Sequence, residues 1–198
     1  MRVIAGKFRS RNVQSLPGAE TRPTYDRLKE TLFNVLQSAG ILEGARFLDL
    51  FAGTGSIGLE ALSRGAAEVH FVEANRKAAN VIRANLASFG ITGGVVVHER
   101  TAAESLALLD RSGQEFDVCF FDPPYRMQGA YEQVLRLLAN SRLMSSSGIV
   151  VAEHEKRFDP GDGIGQLRRY RLLTQGESSL SFYRFEAAVP AAEAEAQP

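Results

Sequence analysis

Asp49-Leu50-Phe51-Ala52-Gly53-Thr54-Gly55-Ser56-Ile57-Gly58 is the stretch on which the fold turns. It places G-x-G-x-x-G, at Gly53, Gly55 and Gly58, directly after an apolar run at 45–51 and at the start of a helical segment at 56–64. That context is what the motif needs for a nucleotide-type ligand. Glycine lets the backbone turn tightly and approach a ligand with no Cβ in the way. The helix start beyond it offers free N–H groups to an anion. Glu73 closes the next strand-like run, twenty residues after Gly53. Its carboxylate can accept hydrogen bonds from a ribose hydroxyl pair. The set fits a dinucleotide, or S-adenosylmethionine with its carboxylate where a pyrophosphate would sit. Asp49 has two readings, a cap on the loop backbone or a carboxylate near the ligand's ammonium or the loop amides.

Outward from this loop the chain alternates. Strand-like runs at 68–73, 94–98, 116–121 and 148–153 are separated by helical segments at 75–89, 102–109 and 129–141. The runs at 45–51 and 116–121 are apolar nearly throughout, as strands covered on both faces are. Such alternation predicts a parallel sheet with helices on both sides. Residues 168–173 and 180–186 flank the polar turn Gly176-Glu177-Ser178-Ser179 and read as a closing antiparallel pair. Upstream, 24–39 reads as a helix with Thr24 as N-cap, Asp26 in the first turn and an apolar stripe of Leu28, Leu32, Val35, Leu36 and Ala39. Residues 1–20 are short alternating stretches broken by Gly6 and Pro17-Gly18, a small hairpin or arm. The tail from Ala187 is rich in Ala, Glu and Pro and is predicted to be disordered. The expected architecture is α/β and Rossmann-like, with seven strands, mostly parallel with an antiparallel last pair, and a small N-terminal β-hairpin extension. It divides into an arm at 1–23, a catalytic domain at 24–186 and a tail at 187–198.

A chain of 198 residues with 44% hydrophobic and 23% charged residues is a single soluble globular domain by length and balance. Lys+Arg and Asp+Glu are equal at 23 each, so net charge says nothing about an anionic partner. Its distribution does. The first 31 residues carry Arg2, Lys7, Arg9, Arg11, Arg22, Arg27 and Lys29 against Glu20, Asp26 and Glu30. The lone cysteine, Cys119, cannot form an intrachain disulfide and sits in an apolar run, a packing position. His70, His98 and His154 are far apart with no ligand spacing, so no metal site is expected. No apolar run approaches the roughly 18 residues of a membrane span, and the start lacks a signal-peptide stretch. A reducing, cytoplasmic setting and a monomer are the expectations.

The second motif bears on chemistry. Asp122-Pro123-Pro124-Tyr125 follows the apolar run at 116–121. In a doubly wound sheet the first and fourth strands are neighbours at the switch point, and ligands sit beyond their carboxyl ends. The two loops are then expected to face one pocket. An exocyclic amine on a base is a poor nucleophile, because its lone pair is delocalised into the ring. Two acceptors on its N–H groups favour the pyramidal nitrogen. Asp122 offers a carboxylate, the Pro123 carbonyl a second acceptor, and the prolines stiffen the loop. Tyr125 offers a flat face for stacking, worth roughly 1–3 kcal/mol per base. Asp122 can also take the proton; the sequence leaves open whether it does more than accept a hydrogen bond. Aspartate and proline also favour plain turns.

With both loops placed, the chain resembles the Rossmann-like amino-methyltransferases, and more narrowly the RsmD family of bacterial 16S ribosomal RNA guanine-N2 methyltransferases. The likeness runs to about residue 185. It is carried by Arg2-Val-Ile-Ala-Gly-Lys7, by Thr21-Arg-Pro-Thr-Tyr-Asp-Arg-Leu-Lys-Glu-Thr-Leu-Phe-Asn34, by 49–58 with Leu59-Glu-Ala-Leu-Ser-Arg64, and by Asp122–Tyr125. Asp-Pro-Pro-Tyr is shared by many N-methyltransferases; the 21–34 stretch is the specific piece. The resemblance implies S-adenosylmethionine as cofactor, with Asp49, Phe51 and the Gly53–Gly58 loop on its methionine part and Glu73 on its ribose. It implies that Asp122, Pro123 and Tyr125 hold a guanine. Many relatives carry Asp or Asn after the third strand against the adenine. Here Thr101-Ala102 falls there, so that contact is expected from backbone atoms near Ala102.

In this reading Lys7, Arg9, Arg11, Arg22 and Arg27 contact RNA phosphates at the pocket mouth, giving salt-dependent affinity with little sequence information. Arg22 and Arg27 have an alternative in Asp26 or Glu30, and Phe8 is either a stacking face or a core residue. The implied partner is 16S ribosomal RNA, the small subunit or its assembly intermediate, with base flipping or an unpaired target. Competing readings are an amino-methyltransferase acting on DNA adenine N6, another RNA guanine N2 or protein glutamine, a nicotinamide-dependent oxidoreductase, and a non-catalytic RNA-binding factor.

Overall fold

A computed structural model describes residues 1–15 and 23–186, without the side chains of 23–25. The calls on Pro17-Gly18, Arg22, the Thr24 cap and the tail from Ala187 lie outside the described residues.

The helix of the specific stretch is α1 (Pro23–Ser38). Alternation then runs β1 (Arg46–Leu50), α2 (Ser56–Ser63), β2 (Glu68–Val72), α3 (Arg76–Ser88), β3 (Val95–His98), α4 (Ala102–Arg111), β4 (Phe116–Phe121), α5 (Gly129–Ala139) and β5 (Met144–Glu155). It closes with β6 (Gly163–Ile164), β7 (Leu167–Gln175) and β8 (Ser178–Phe185). The sheet order is β3-β2-β1-β4-β5-β8-β7-β6. Pairs from β3 across to β5 are parallel, and the rest are antiparallel.

The sheet has eight strands rather than the expected seven. The extra one, β6, is two residues long and pairs only with Arg168 and Leu167, too short to leave a periodic signal. Strand β5 starts at Met144, not near Gly148. The ladder jumps from Phe116↔Met144 to Val118↔Ile149, so the polar residues between them bulge and hide the strand's start. The Asp117 carboxylate in that gap accepts from the Ser145 hydroxyl at 3.1 Å and from the Arg46 amide at 2.9 Å.

Side chains alternate between faces along each strand, so each buried strand feeds two cores. Phe47, Phe71, Phe120 and Val151 pack with α1, α2 and α3 through Leu32, Leu59 and Ile82. Leu48, Cys119, Phe121 and Val150 pack with α4 and α5 through Leu106, Val134 and Leu138. Cys119 is fully buried there, the packing role expected of it.

The expected N-terminal hairpin is reduced to one antiparallel bridge, Arg2↔Asn12. Val3, Ser10 and Val13 donate within the arm, to the Arg11, Val3 and Met1 carbonyls at 3.0, 2.9 and 2.9 Å, and other donors go to α2. Ile4 and Ala5 donate to the Glu60 carboxylate at 2.7 and 3.0 Å, and Lys7 donates to the Ser63 carbonyl at 2.8 Å. At Gly6 a Cβ would lie 1.8 Å from the Ser63 carbonyl oxygen, so only glycine lets the arm lie this close to α2. Val3 and Val13 are buried in the same core as α1 and α2.

Candidate active site

Strand order reverses between β1 and β4, and their register runs Asp49↔Phe120 and Leu50↔Phe121. The glycine loop and the Asp-Pro-Pro-Tyr loop therefore leave the sheet side by side at its carboxyl edge, where such sheets bind ligands. Neighbouring β5 is level with them through Phe121↔Ala152. Counting by twos from Phe47, Phe120 and Val151 puts Asp49, Asp122 and Glu153 on one face, the α1–α3 side.

In the glycine loop, Gly53 and Gly55 have φ of 56° and 80°, and Phe51 has 58°, the left-handed region that costs a non-glycine residue strain. A Cβ on Gly53 would meet only the Phe51 oxygen, at 4.0 Å, so the loop is open there. Gly58 is different. A Cβ on it would lie 2.2 Å from the Phe71 ring, so this glycine lets α2 press onto β2. Its amide donates to Asp49 Oδ2 at 2.9 Å. Asp49 thus caps the start of α2, one of the two readings its position allowed. The Glu73 carboxylate accepts from the Gly53 amide at 2.8 Å and the Asn75 amide at 2.7 Å, bracing the loop from β2. Each oxygen keeps a lone pair for a hydroxyl donor.

Burial pushes the Asp49 carboxyl up to about 8, against the pull of the Gly58 amide, and nearby Glu73 and Asp122 push the same way. Burial likewise raises Asp122 to about 7. Glu153, 6% exposed, is pushed well up by burial and by Asp122. Three carboxyl groups thus meet at one sheet edge. Pro123 is buried, and its carbonyl accepts no backbone hydrogen bond among the described residues, whereas the Pro124 carbonyl takes the Met127 amide at 2.7 Å. Tyr125 is half exposed, and its phenol interacts with Ser178 at the start of β8.

Ala102 opens α4, which Thr101 caps in a reciprocal box with Glu104. The Thr101 hydroxyl is thereby engaged with Glu104, at 2.7 Å. The Glu73 amide donates to the His98 carbonyl at 3.0 Å, so the ends of β2 and β3 stay together at this edge.

The five basic residues fare differently. Lys7 and Arg9 are exposed on the arm, Lys7 lying 4.8 Å from the Phe8 ring centre. Arg27 is exposed on α1, and Arg22 lies outside the described residues. Arg11 spreads over the Phe89 ring at 4.3 Å and donates to the Ser88 and Phe89 carbonyls beyond α3. Phe8 meets Phe89 edge-on at 5.3 Å, a packing position.

The fold recurs in known proteins. The family model described as conserved hypothetical protein 95 matches residues 1–184. The chain belongs to the RsmD family. It is 34% identical to the Escherichia coli K12 protein named ribosomal RNA small subunit methyltransferase D, over 94% of this chain and 91% of that one. It is also 34% identical to the Bacillus subtilis putative rRNA methyltransferase YlbH, over 93% and 98%. The solved structure of the Escherichia coli putative methyltransferase yhhF superposes with a TM-score of 0.79 at 33% identity, covering 94% of this chain and 98% of that one. The mostly parallel sheet with an antiparallel end is thus the methyltransferase architecture of the RsmD relatives.

Some residues of the site are not singled out by sequence reasoning. Glu153 lies two residues before the end of β5, at the same sheet edge as Glu73 and Asp122, a placement that could have flagged it. Glu60, Lys29 and Arg64 belong to the family's own stretches. They form a buried network, with Arg64 Nε 2.7 Å and Lys29 Nζ 3.7 Å from the Glu60 carboxylate. Lys29 is therefore a core residue, not part of a basic surface. His70 and His98 also meet, at 3.1 Å, because β2 and β3 are neighbours, with His70 bound to Glu68 at 2.6 Å. Among the described residues no group of three potential ligands could hold a metal, and no helix is long and apolar enough to cross a membrane.

Proposed function

We propose that this chain transfers a methyl group from S-adenosylmethionine to the exocyclic N2 amine of a guanine in small-subunit (16S) ribosomal RNA. The single observation that carries the reading is the convergence of the Gly53–Gly58 loop and Asp122 at adjacent strand ends, through Leu50↔Phe121. Membership of the RsmD family supports the nucleic-acid substrate.

The residues present suit the cofactor. The open loop at Gly53, the amides at the start of α2 and the Glu73 carboxylate offer a close backbone approach, an anion seat and a hydroxyl acceptor. Phe51 and Asp49 brace that loop, and Ala102 stands for backbone contact to the adenine. Bound there, the cofactor supplies an electrophilic sulfonium methyl. The chain's part is to orient the amine. Asp122 accepts one N–H and the Pro123 carbonyl the other, which frees the nitrogen lone pair from the ring. Tyr125 stacks on the base, and Asp122 is placed to take the proton that the nitrogen sheds. Positioning of this kind can reach about 7–11 kcal/mol in well-oriented systems. Residues 24–186 carry the catalysis, and Lys7, Arg9 and Arg27, with Arg11 and Arg22, supply phosphate contacts from the arm and α1. In this reading the protein acts in the cytoplasm on the small subunit or its assembly intermediate, as a monomer and without a metal.

Mapping of methylated bases in cells lacking this protein tests the proposal. One N2-methylguanine of small-subunit RNA is expected to disappear. An intact set of RNA methylguanines, with loss instead of a DNA N6-methyladenine or a protein methylglutamine, overturns it.

A further inference from the structure

The arm does more than cover α2. Its backbone is tied to the two residues that flank Gly55 in the glycine loop, by two buried side chains that each hold both partners. Asn85 of α3 is fully buried. Its Oδ1 accepts from the Gln14 amide at 2.9 Å, and its Nδ2 donates to the Gln14 carbonyl at 3.1 Å and to the Thr54 carbonyl at 3.0 Å. A carboxamide nitrogen has two hydrogens, and here one goes to the arm and the other to the loop. Lys29 of α1 repeats the arrangement. Its Nζ donates to the Arg2 carbonyl at 2.8 Å and to the Ser56 hydroxyl at 3.0 Å. Thr54 and Ser56 are thus each held by a group that also holds one end of the arm. Gly55 between them sits at φ 80°, a conformation that must be kept for the loop to hold its shape.

We infer that the N-terminal arm is a positioning element of the glycine loop, acting through Asn85 and Lys29, so that arm seating and cofactor binding are coupled. The inference rests on the reading that the cofactor occupies this loop. Coupling between two sites is reciprocal. A cofactor that needs the loop in its held shape must tighten the arm, and loosening the arm must weaken the cofactor. A buried amide that lost either partner would leave an unsatisfied polar group, which is why the two ends do not move independently.

S-adenosylhomocysteine is the probe, with the full chain. In the wild-type protein, saturation with it is expected to slow hydrogen exchange of the Gln14 amide, which donates to Asn85. The Phe8 amide, which donates to Ser63 Oγ at 2.9 Å and touches no loop partner, is expected to change by less than twofold. By titration calorimetry, Gln14→Pro, which removes the arm's N–H at an exposed position, is expected to weaken binding about five- to tenfold. Ser63→Ala, which loosens the arm elsewhere, is expected to stay within twofold of wild type. Unchanged Gln14 exchange on saturation, or equal effects of Gln14→Pro and Ser63→Ala, overturns the coupling while leaving the cofactor site standing. Failure of the wild-type chain to bind the probe overturns both.

Discussion

Asp122 has to be ionised to take the proton that the amine sheds, yet burial holds its carboxyl near 7. Its titration is shared with Glu153, so the apparent value belongs to the pair. The carboxylate form, and with it turnover, is expected to rise with pH across about 7. A pH profile of methyl transfer flat from 6 to 8.5 would sink that assignment. Asp122→Asn is expected to lower the rate about a hundredfold or more, as loss of a positioned acid–base group does. Binding of S-adenosylhomocysteine, measured by calorimetry, should fall far less. At Gly58 the constraint is steric. Gly58→Ala drives a methyl to within 2.2 Å of the Phe71 ring and 2.8 Å of Val69. Both are buried, so the overpacking is expected to cost about 1–3 kcal/mol, read as a lower urea midpoint. A midpoint equal to wild type would mean that α2 is free to lift from β2.

At the scale of elements, α2 is the piece that joins the arm, α1 and the sheet, and Glu60 is its hub. Three donors, from Ile4, Ala5 and Arg64, converge on one fully buried carboxylate, with the Lys29 ammonium 3.7 Å away. Glu60→Gln keeps the shape but replaces an acceptor oxygen with a donor and removes the negative charge that faces Arg64 and Lys29. Breaking such a buried pair costs about 3–5 kcal/mol. Unfolding by urea should show that loss, and amide exchange at Ile4 and Ala5 should accelerate. A loss under 1 kcal/mol would show that the arm holds α2 by apolar contact alone. The sequence makes α2 legible as a helix but not as a hub, because a charged residue reads as surface until its partners, 56 positions away for Ile4, are known. The same limit bears on the arm. Alternation in residues 1–20 suggests a hairpin or arm, and Val3, Ser10 and Val13 do donate across it, but Ile4, Ala5 and Lys7 donate to α2 instead. Strands β1 and β4 and both motif loops were readable, since burial on both faces and the glycine and proline patterns are local signals. Strand β6, the bulged start of β5 and the part of Glu153 depend on pairing across the sheet, which no local pattern carries.

For the whole molecule, three carboxyl groups at one sheet edge, two of them buried and Asp122 partly so, make stability depend on pH in an unusual direction. A carboxyl raised above its unfolded value, about 3.9–4.3, keeps a proton in the fold that the unfolded chain has lost. Its stabilisation is complete at low pH and is lost as pH rises through the folded value. For Asp122 and Asp49 those values are about 7 and about 8, and Glu153 moves the same way. His98 and His154 oppose this, since burial lowers both. Their contribution grows with pH through about 6.5, where the unfolded imidazole is half deprotonated, and is nearly complete about one unit higher. Between pH 7 and 8.5 little of that gain remains, the buried Cys119 thiol, raised by burial, acts in the same direction as the carboxyl groups, and the urea midpoint of the cofactor-free protein is expected to fall. Asp49→Asn keeps an oxygen for the Gly58 amide but no longer titrates, so its midpoint should fall less steeply over the same range. Equal slopes for the two proteins would mean that Asp49 is ionised in the fold already at pH 7.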